Sequence, residues 1–260
     1  MAEGALYGRA FVVIGGTTGL GLSGARACVE AGARVVVVGR NPDSVTEARS
    51  ILGENAVAMA GDAAEPDTAV AAIRACLEAF GRFDGLYHVA GGSGRSKGDG
   101  PLHEITDEGW QATMNLNLTS LFNSNRAAVR ALMEAGTPGV VLNMSSVLGV
   151  SPSPAHFSTH AYSAAKSAVL GFTRSCASYY ANRSIRFNVI APALVETPMS
   201  KRAIGDAEIV EFVRTKQPLD GGRPSVPADL DAAVVFLLSD GAKLITGQWL
   251  NVDGGWTVTG

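Results

Sequence analysis

The chain has 260 residues, 47% of them hydrophobic and 17% charged, with a formal net charge of −3. That balance argues against non-specific nucleic-acid binding, which needs a basic surface, and no basic run suits an anionic membrane. Cys28, Cys76 and Cys176 form no Cys-x-x-Cys, the four histidines have no ligand spacing, and no apolar run nears the roughly 18 residues of a span. A metal-free, cytoplasmic protein is expected, since the N-terminus also lacks the basic and apolar regions of a leader.

In chain order, short β-branched runs at 11–14, 35–38, 57–59, 86–87, 140–142, 186–190 and 249–252 read as strands. Helical patterns fill 19–31, 43–51, 67–80, 106–134, 163–180 and 227–238, with Asp67 and Thr106 as N-caps and Asp43 opening the second helix. Continuous apolar strands between helices predict a doubly wound, Rossmann-like α/β domain spanning 1–260, its parallel sheet of about seven strands covered on both faces. Three segments remain as long loops: 91–101, 149–160 and 197–224. Lying beyond strand C-termini, they are the candidate substrate walls, the last as a lid.

The first strand runs into Gly15-Gly-Thr-Thr-Gly-Leu-Gly21 and then a helix. Gly15 allows a tight turn, Gly19 and Gly21 let the backbone approach a pyrophosphate, and Thr17 and Thr18 offer hydroxyls. A phosphate placed here meets the free N–H groups of the helix N-terminus. The second strand ends at Gly39-Arg40, without the carboxylate that would bind a ribose diol. Arg40 can instead pair with a 2′-phosphate, which favours NADP(H) over NAD(H); the alternative is a solvated surface arginine. Asp62, after the third strand, reads either as an acceptor for the adenine amino group or as a loop carboxylate and cap.

Tyr162-Ser-Ala-Ala-Lys166 puts a phenol and an ammonium on one helix face. A free tyrosine titrates at about 10, and bringing it to about 7 takes roughly 4 kcal/mol of differential interaction. A nearby positive charge supplies such an interaction, making the phenol a proton donor to a carbonyl or acceptor from an alcohol. Upstream, Ser146 lies where the fifth strand ends, at the ligand-binding edge of such a sheet.

Together these residues resemble the short-chain dehydrogenase/reductase family, in its short single-domain branch, over roughly residues 8 to 256. The resemblance makes Asn117, Ser146, Tyr162 and Lys166 the catalytic set. Tyr162 is then the acid–base, Ser146 polarises the carbonyl, and Lys166 lowers the tyrosine pKa and binds the nicotinamide ribose. Asn117, at a helix kink, is expected to hold a water linking Lys166 to solvent. The family pattern also implies cofactor contacts at Leu20, Ala63, Val89, Ala90, Gly91, Pro192, Ala193, Val195 and Thr197, and at Asp62 to adenine. Thr246-Gly247 and Asp253-Gly-Gly255 match its C-terminal signature.

Three departures stand out: His88-Val-Ala-Gly91 where the family has Asn-Asn-Ala-Gly, Ala193 for a glycine, and Ile14 for a threonine. His88 is expected to be a satisfied core histidine that ties the central strands. The resemblance implies an NADP(H)-dependent oxidoreductase acting on a small-molecule ketone or secondary alcohol, with 3-oxoacyl-thioester reductase as one activity. An NAD-dependent dehydrogenase of a sugar, polyol or steroid alcohol is the alternative, and a non-catalytic, cofactor-sensing binding protein on the same fold is a second. Leu148, Phe157 and Met199 suggest an apolar substrate wall; His103, His156 and His160 are surface or capping residues, or contacts to a polar group. A homotetramer or homodimer is implied, built through long helices and C-terminal strands.

Overall fold

Seven strands line up side by side in one parallel sheet in the computed structural model, which describes residues 4–259. They are β1 (Ala10–Ile14), β2 (Arg34–Gly39), β3 (Ala56–Ala60), β4 (Gly85–His88), β5 (Gly139–Met144), β6 (Ile185–Pro192) and β7 (Trp249–Val252). Their order is β3-β2-β1-β4-β5-β6-β7, so the winding direction reverses between β1 and β4. Ile14 pairs with both Val38 and His88, which aligns three strand ends at this reversal, where such sheets bind ligands.

Alternate strand residues serve opposite faces, and the sequence supplies apolar side chains to both. On one face Phe11, Val13, Val35, Val37, Tyr87 and Leu142 pack beneath α1 (Gly19–Glu30), α2 (Pro42–Leu52) and α9 (Asp231–Leu238). On the other, Val12, Ile14, Val36, Val38, Leu86 and Val141 pack against α3 (Pro66–Phe80) and α5 (Ser120–Ala135). Burying one valine stabilises by about 1.5–3 kcal/mol, so the four consecutive valines of β2 anchor both layers. Cys28 and Cys76 fill this core, and burial pushes both thiols up to about 12.

The helix starts shift from expectation for local reasons. Thr106 does cap α4 (Asp107–Met114), accepting from the Gly109 N–H at 3.0 Å. Asp67 is not a cap: Pro66 occupies the first helical position and Glu65 the cap position. Proline likewise moves the start of α2 from Asp43 to Pro42, with Asn41 accepting from Asp43 N–H at 2.8 Å. The 106–134 helix is interrupted by a π-helical turn at Asn115–Thr119, and α6 (His160–Tyr180) begins three residues before its expected start at 163. Segment 197–224 is no plain loop, since it contains α7 (Lys201–Ile204) and α8 (Ala207–Lys216).

Candidate active site

The glycine turn closes directly above the sheet edge. Gly15 adopts φ +85°, and a Cβ there would lie 2.6 Å from the Ala90 nitrogen, so only glycine fits between β1 and β4. Gly21 has its free side filled by the Gly15 carbonyl, which packs α1 tightly against the turn. Thr18 caps α1 without a side-chain hydrogen bond, and no acid occupies its first turn. The helix N-terminus thus keeps N–H groups available for an anion, and the cradle fits a dinucleotide phosphate.

Of the other predicted cofactor residues, Thr18 is exposed while Thr17 is buried against Gly39. Arg40 is exposed beside them and makes no hydrogen bond or ion pair among the described residues. Asp62 is also exposed, with Oδ1 accepting from the Ala64 N–H at 2.9 Å. That turn leaves its second oxygen open. Thr197 lies over the turn, 3.4 Å from where a Gly19 Cβ would stand.

Tyr162, Ser146 and Lys166 converge at the C-terminal end of β5. Lys166 is 3% exposed; its ammonium lies 5.6 Å from the Tyr162 ring centroid and donates to the Met144 carbonyl at 3.1 Å. The Ser145 hydroxyl donates to the Lys166 carbonyl at 2.7 Å, which fixes α6 to the strand end. Burial lowers the Lys166 pKa to about 8. Burial also raises the Tyr162 phenol above its ordinary value, while a hydrogen bond from Ser146 works the other way. Within the chain alone, then, Ser146 rather than Lys166 is the group that favours phenolate. The lowering expected from Lys166 does not appear: burial raises the phenol and only Ser146 opposes it.

Asn117 sits in the π-turn, fully buried, and spends its amide on the backbone. Its Nδ2 donates to the carbonyls of Gly92 (2.8 Å) and Thr113 (2.9 Å), and its Oδ1 accepts from Gly92 N–H at 3.1 Å. Gly91 lies between: a Cβ there would stand 2.7 Å from Asn117 Oδ1 and 3.1 Å from Lys166 Nζ. Three segments far apart in sequence, around Gly91, Asn117 and Lys166, thereby meet at one strand edge.

The family model described as Enoyl-(Acyl carrier protein) reductase matches residues 15–257. The chain belongs to the short-chain dehydrogenase/reductase family. It is 34% identical to 2,5-dichloro-2,5-cyclohexadiene-1,4-diol dehydrogenase of Sphingobium indicum, covering 97% of this chain and 98% of that one. It is 32% identical to the 3-oxoacyl-(acyl-carrier-protein) reductase FabG of Vibrio cholerae, over 96% and 98% of the two chains. A solved short-chain type dehydrogenase/reductase from Mycobacterium ulcerans superposes with a TM-score of 0.89 at 31% identity, over 97% of this chain and 91% of the other. The protein is therefore an oxidoreductase of alcohols and ketones. No helix among the described residues is long and apolar enough to cross a membrane.

Within this short-chain dehydrogenase/reductase, the central strands are tied by an altered polar set. His88 shares a 2.8 Å hydrogen bond between Nδ1 and the Ser124 hydroxyl, but its buried Nε2 has no partner. The expected satisfied histidine is thus half satisfied. Burial, and next the charge of Lys166, lower its pKa to about 3. Asn143 of β5 carries the remaining tie, exchanging 2.9 Å hydrogen bonds with Asn125 and donating to Thr173 at 3.1 Å.

Two of the three loops contribute to one apolar cluster, through Phe157 and Phe212. Leu148 and Phe157 join an apolar cluster with Val147, Leu194, Phe212 and Trp256. Met199 does not, being 56% exposed. Of the loop histidines, His103 is exposed beside Glu104 at 3.5 Å, His160 starts α6, and His156 lies 5.0 Å from the Phe212 ring.

Two positioning residues had no signal in the sequence. Asp99 is 4% exposed and accepts from the N–H groups of Ala161 (3.0 Å) and Tyr162 (2.9 Å), capping α6 from 62 positions away. Gln217 is buried at the C-terminal end of α8, accepting from Leu194 N–H at 3.2 Å and donating to the Arg223 carbonyl at 2.9 Å. Only the fold brings either to its partners.

Proposed function

We propose that the chain is an NADP(H)-dependent oxidoreductase that interconverts a ketone and a secondary alcohol, with Tyr162 as general acid–base. The convergence of Tyr162, Ser146 and Lys166 beside the glycine cradle carries this reading. Gly15, Thr17, Thr18, Gly19, Leu20 and Gly21 would hold the pyrophosphate, Arg40 the 2′-phosphate, and Asp62 and Ala63 the adenine. Val89, Ala90, Gly91, Pro192, Ala193, Val195 and Thr197 would line the nicotinamide half. The bound cofactor supplies or accepts the hydride.

The chain itself moves the proton. Tyr162 gives its phenolic proton to the carbonyl oxygen in reduction and takes it back from the alcohol in oxidation. The Ser146 hydroxyl orients that oxygen and donates to it as charge develops. Lys166 would bind the ribose, and its ammonium, 5.6 Å from the ring centroid, would favour phenolate only together with the charge of the bound oxidised cofactor. Asn117 holds Gly92 and the strand end, and its backbone anchors the water of the proton relay. Residues 197–224 close the cleft as a lid over Gly19.

The apolar cluster of Leu148, Phe157, Phe212 and Trp256 favours a substrate with a hydrophobic body. Likeness to a ring-diol dehydrogenase and to a 3-oxoacyl reductase supports both ring and acyl ketones. The exposed apolar helix faces support assembly as a homotetramer or homodimer.

Thermal unfolding with saturating NADPH, NADP⁺, NADH and NAD⁺ tests the cofactor. A nucleotide at 100 times its dissociation constant stabilises by about 2.7 kcal/mol, and only the phosphorylated pair should do so. Arg40→Asp should transfer that preference to the NADH pair. Tyr162→Phe should cut ketone reduction about 100- to 10,000-fold while leaving the nucleotide shift intact. Full activity in the phenylalanine variant would remove Tyr162 as the acid.

A further inference from the structure

The chain after β5 carries Ser146 into a tight turn. Ser146 Oγ accepts from Leu148 N–H at 3.2 Å, Gly149 N–H donates to the Ser146 carbonyl at 3.0 Å, and Ser151 N–H closes the turn on the Val147 carbonyl at 2.7 Å. One side of this turn is held by α6, where the Ser167 hydroxyl donates to the Gly149 carbonyl. Its other side is held from the far end of the chain. Trp256 Nε1 donates to the Ser151 carbonyl at 3.3 Å, across 105 positions, and the indole shares one apolar cluster with Val147 and Leu194.

Trp256 also joins this turn to the lid. It is 2% exposed, and its ring meets Phe157 edge-on at 5.9 Å and Phe212 of α8 edge-on at 5.7 Å. The backbone that delivers it is heavily hydrogen-bonded: Asp253 accepts from the N–H groups of Gly255 (3.0 Å) and Thr257 (2.9 Å) and from the Thr257 hydroxyl (2.7 Å). Around the indole, the tail grips the end of α8. Lys216 Nζ donates to the Thr259 carbonyl at 2.8 Å, the Thr259 hydroxyl to the Lys216 carbonyl at 2.9 Å, and Leu219 N–H to the Gly254 carbonyl at 3.0 Å. A buried indole N–H needs its acceptor, so the Ser151 carbonyl follows the ring.

We propose that Trp256 is a positioning residue for Ser146: its indole couples the lid helix α8 to the serine turn, so the hydroxyl is in place only while the C-terminal turn is seated on the lid. This rests on the oxidoreductase reading above, in which Ser146 donates to the carbonyl oxygen. Trp256 itself touches no reacting atom. It acts through Ser151, which is bonded to Val147, the residue next to Ser146. A misplacement of about 1 Å costs on the order of 100-fold in rate, so a small shift of the turn is enough.

Two measurements separate this role from a contribution to stability alone. Hydrogen exchange compares the unaltered protein with Trp256→Ala and with Trp256→Phe, which keeps a ring and loses the N–H. Exchange in 146–151 and in 209–216 should rise together in both variants, while 15–21 exchanges as before. A rise confined to 209–216, a rise shared by 15–21, or no rise overturns the proposal. Where Trp256→Ala does not fold, Trp256→Phe decides.

A double-mutant cycle with Ser146→Ala gives the chemical readout, using NADPH and ethyl acetoacetate. Trp256→Ala should lower kcat about 10- to 100-fold with the nucleotide thermal shift unchanged, and Trp256→Phe should recover part of that loss. In the Ser146→Ala background the same change should cost less than about threefold, because the group it positions is gone. Equal losses in the two backgrounds overturn the proposal. If Ser146→Ala leaves turnover unchanged, or the ketone is not reduced, the catalytic reading falls instead, and the exchange pattern alone decides whether Trp256 couples the lid to the turn.

Discussion

His88 occupies a position where burial and chemistry conflict. Its imidazole is neutral in the folded chain, with a pKa of about 3, but in the unfolded chain it protonates at about 6.5. Between those values the unfolded state binds the extra proton, so the stability associated with neutral His88 is present above pH 6.5 and lost as pH falls towards 3. His88→Asn should flatten the pH dependence of unfolding free energy over that window by close to one proton. Parallel curves for the two proteins, from urea titrations at several pH values, would show that His88 does not titrate there. At this scale the sequence was informative where a motif fixed both residue type and spacing, as at Tyr162, Lys166 and Gly15. It was silent where a residue acts across the fold. Asp99 lies in a glycine-rich stretch with no periodicity, and its partners Ala161 and Tyr162 become neighbours only once β4 and β5 pair.

The position of α6 is set by contacts at both its ends and along its face. Thr159 provides no side-chain cap, so the first N–H groups of the helix depend on Asp99, while Gly100 accepts from His160 N–H at 3.2 Å. Asp99→Ala should cost about 1–3 kcal/mol in stability and lower kcat more than nucleotide affinity, because the displaced turn carries Tyr162. Asp99→Asn, retaining one acceptor, should fall between. Urea unfolding and steady-state kinetics on both variants measure this; an alanine variant with unchanged kcat would limit Asp99 to a stability role. The lid helices were the elements missed in the sequence, although α8 carries a signal. Asp206 accepts from Glu208 and Ile209 N–H groups, and Ile209 and Val213 recur four residues apart on the buried side. Flanking glycines and prolines masked so short a period.

Across the whole molecule, the seven-strand parallel arrangement was legible because the central strands are apolar on both faces and the strands are separated by helix-length segments. The assembly was less so. Trp256 is buried beside Phe157 and Phe212 and so belongs to the core rather than to a subunit contact, contrary to the simplest view of an apolar C-terminus. Trp110, Phe122, Met133 and Tyr179, by contrast, are exposed along α4, α5 and α6, and Leu250 is exposed on β7. Large apolar side chains grouped on helix faces favour association. Sedimentation velocity should give a tetramer, and Phe122→Glu should shift it to smaller species; a monomer for the unaltered chain would end this expectation.

The π-turn at Asn115–Thr119 also sets what kind of change the gene can absorb. One residue in an α-helix is worth about 100° of rotation. Deleting a residue within this turn would restore a continuous α-helix; because a π-turn takes up one extra residue at nearly unchanged phase, α5 would keep its facing and the widened turn itself would be lost. Ser124 would stay at His88 and Asn125 at Asn143, but Asn117 would lose the wide turn that carries it to Gly92. Substitutions at Leu116 or Leu118 can be compensated by neighbours, but a lost residue has no local remedy. The segment should therefore accumulate replacements across descendants of this gene while its length stays constant.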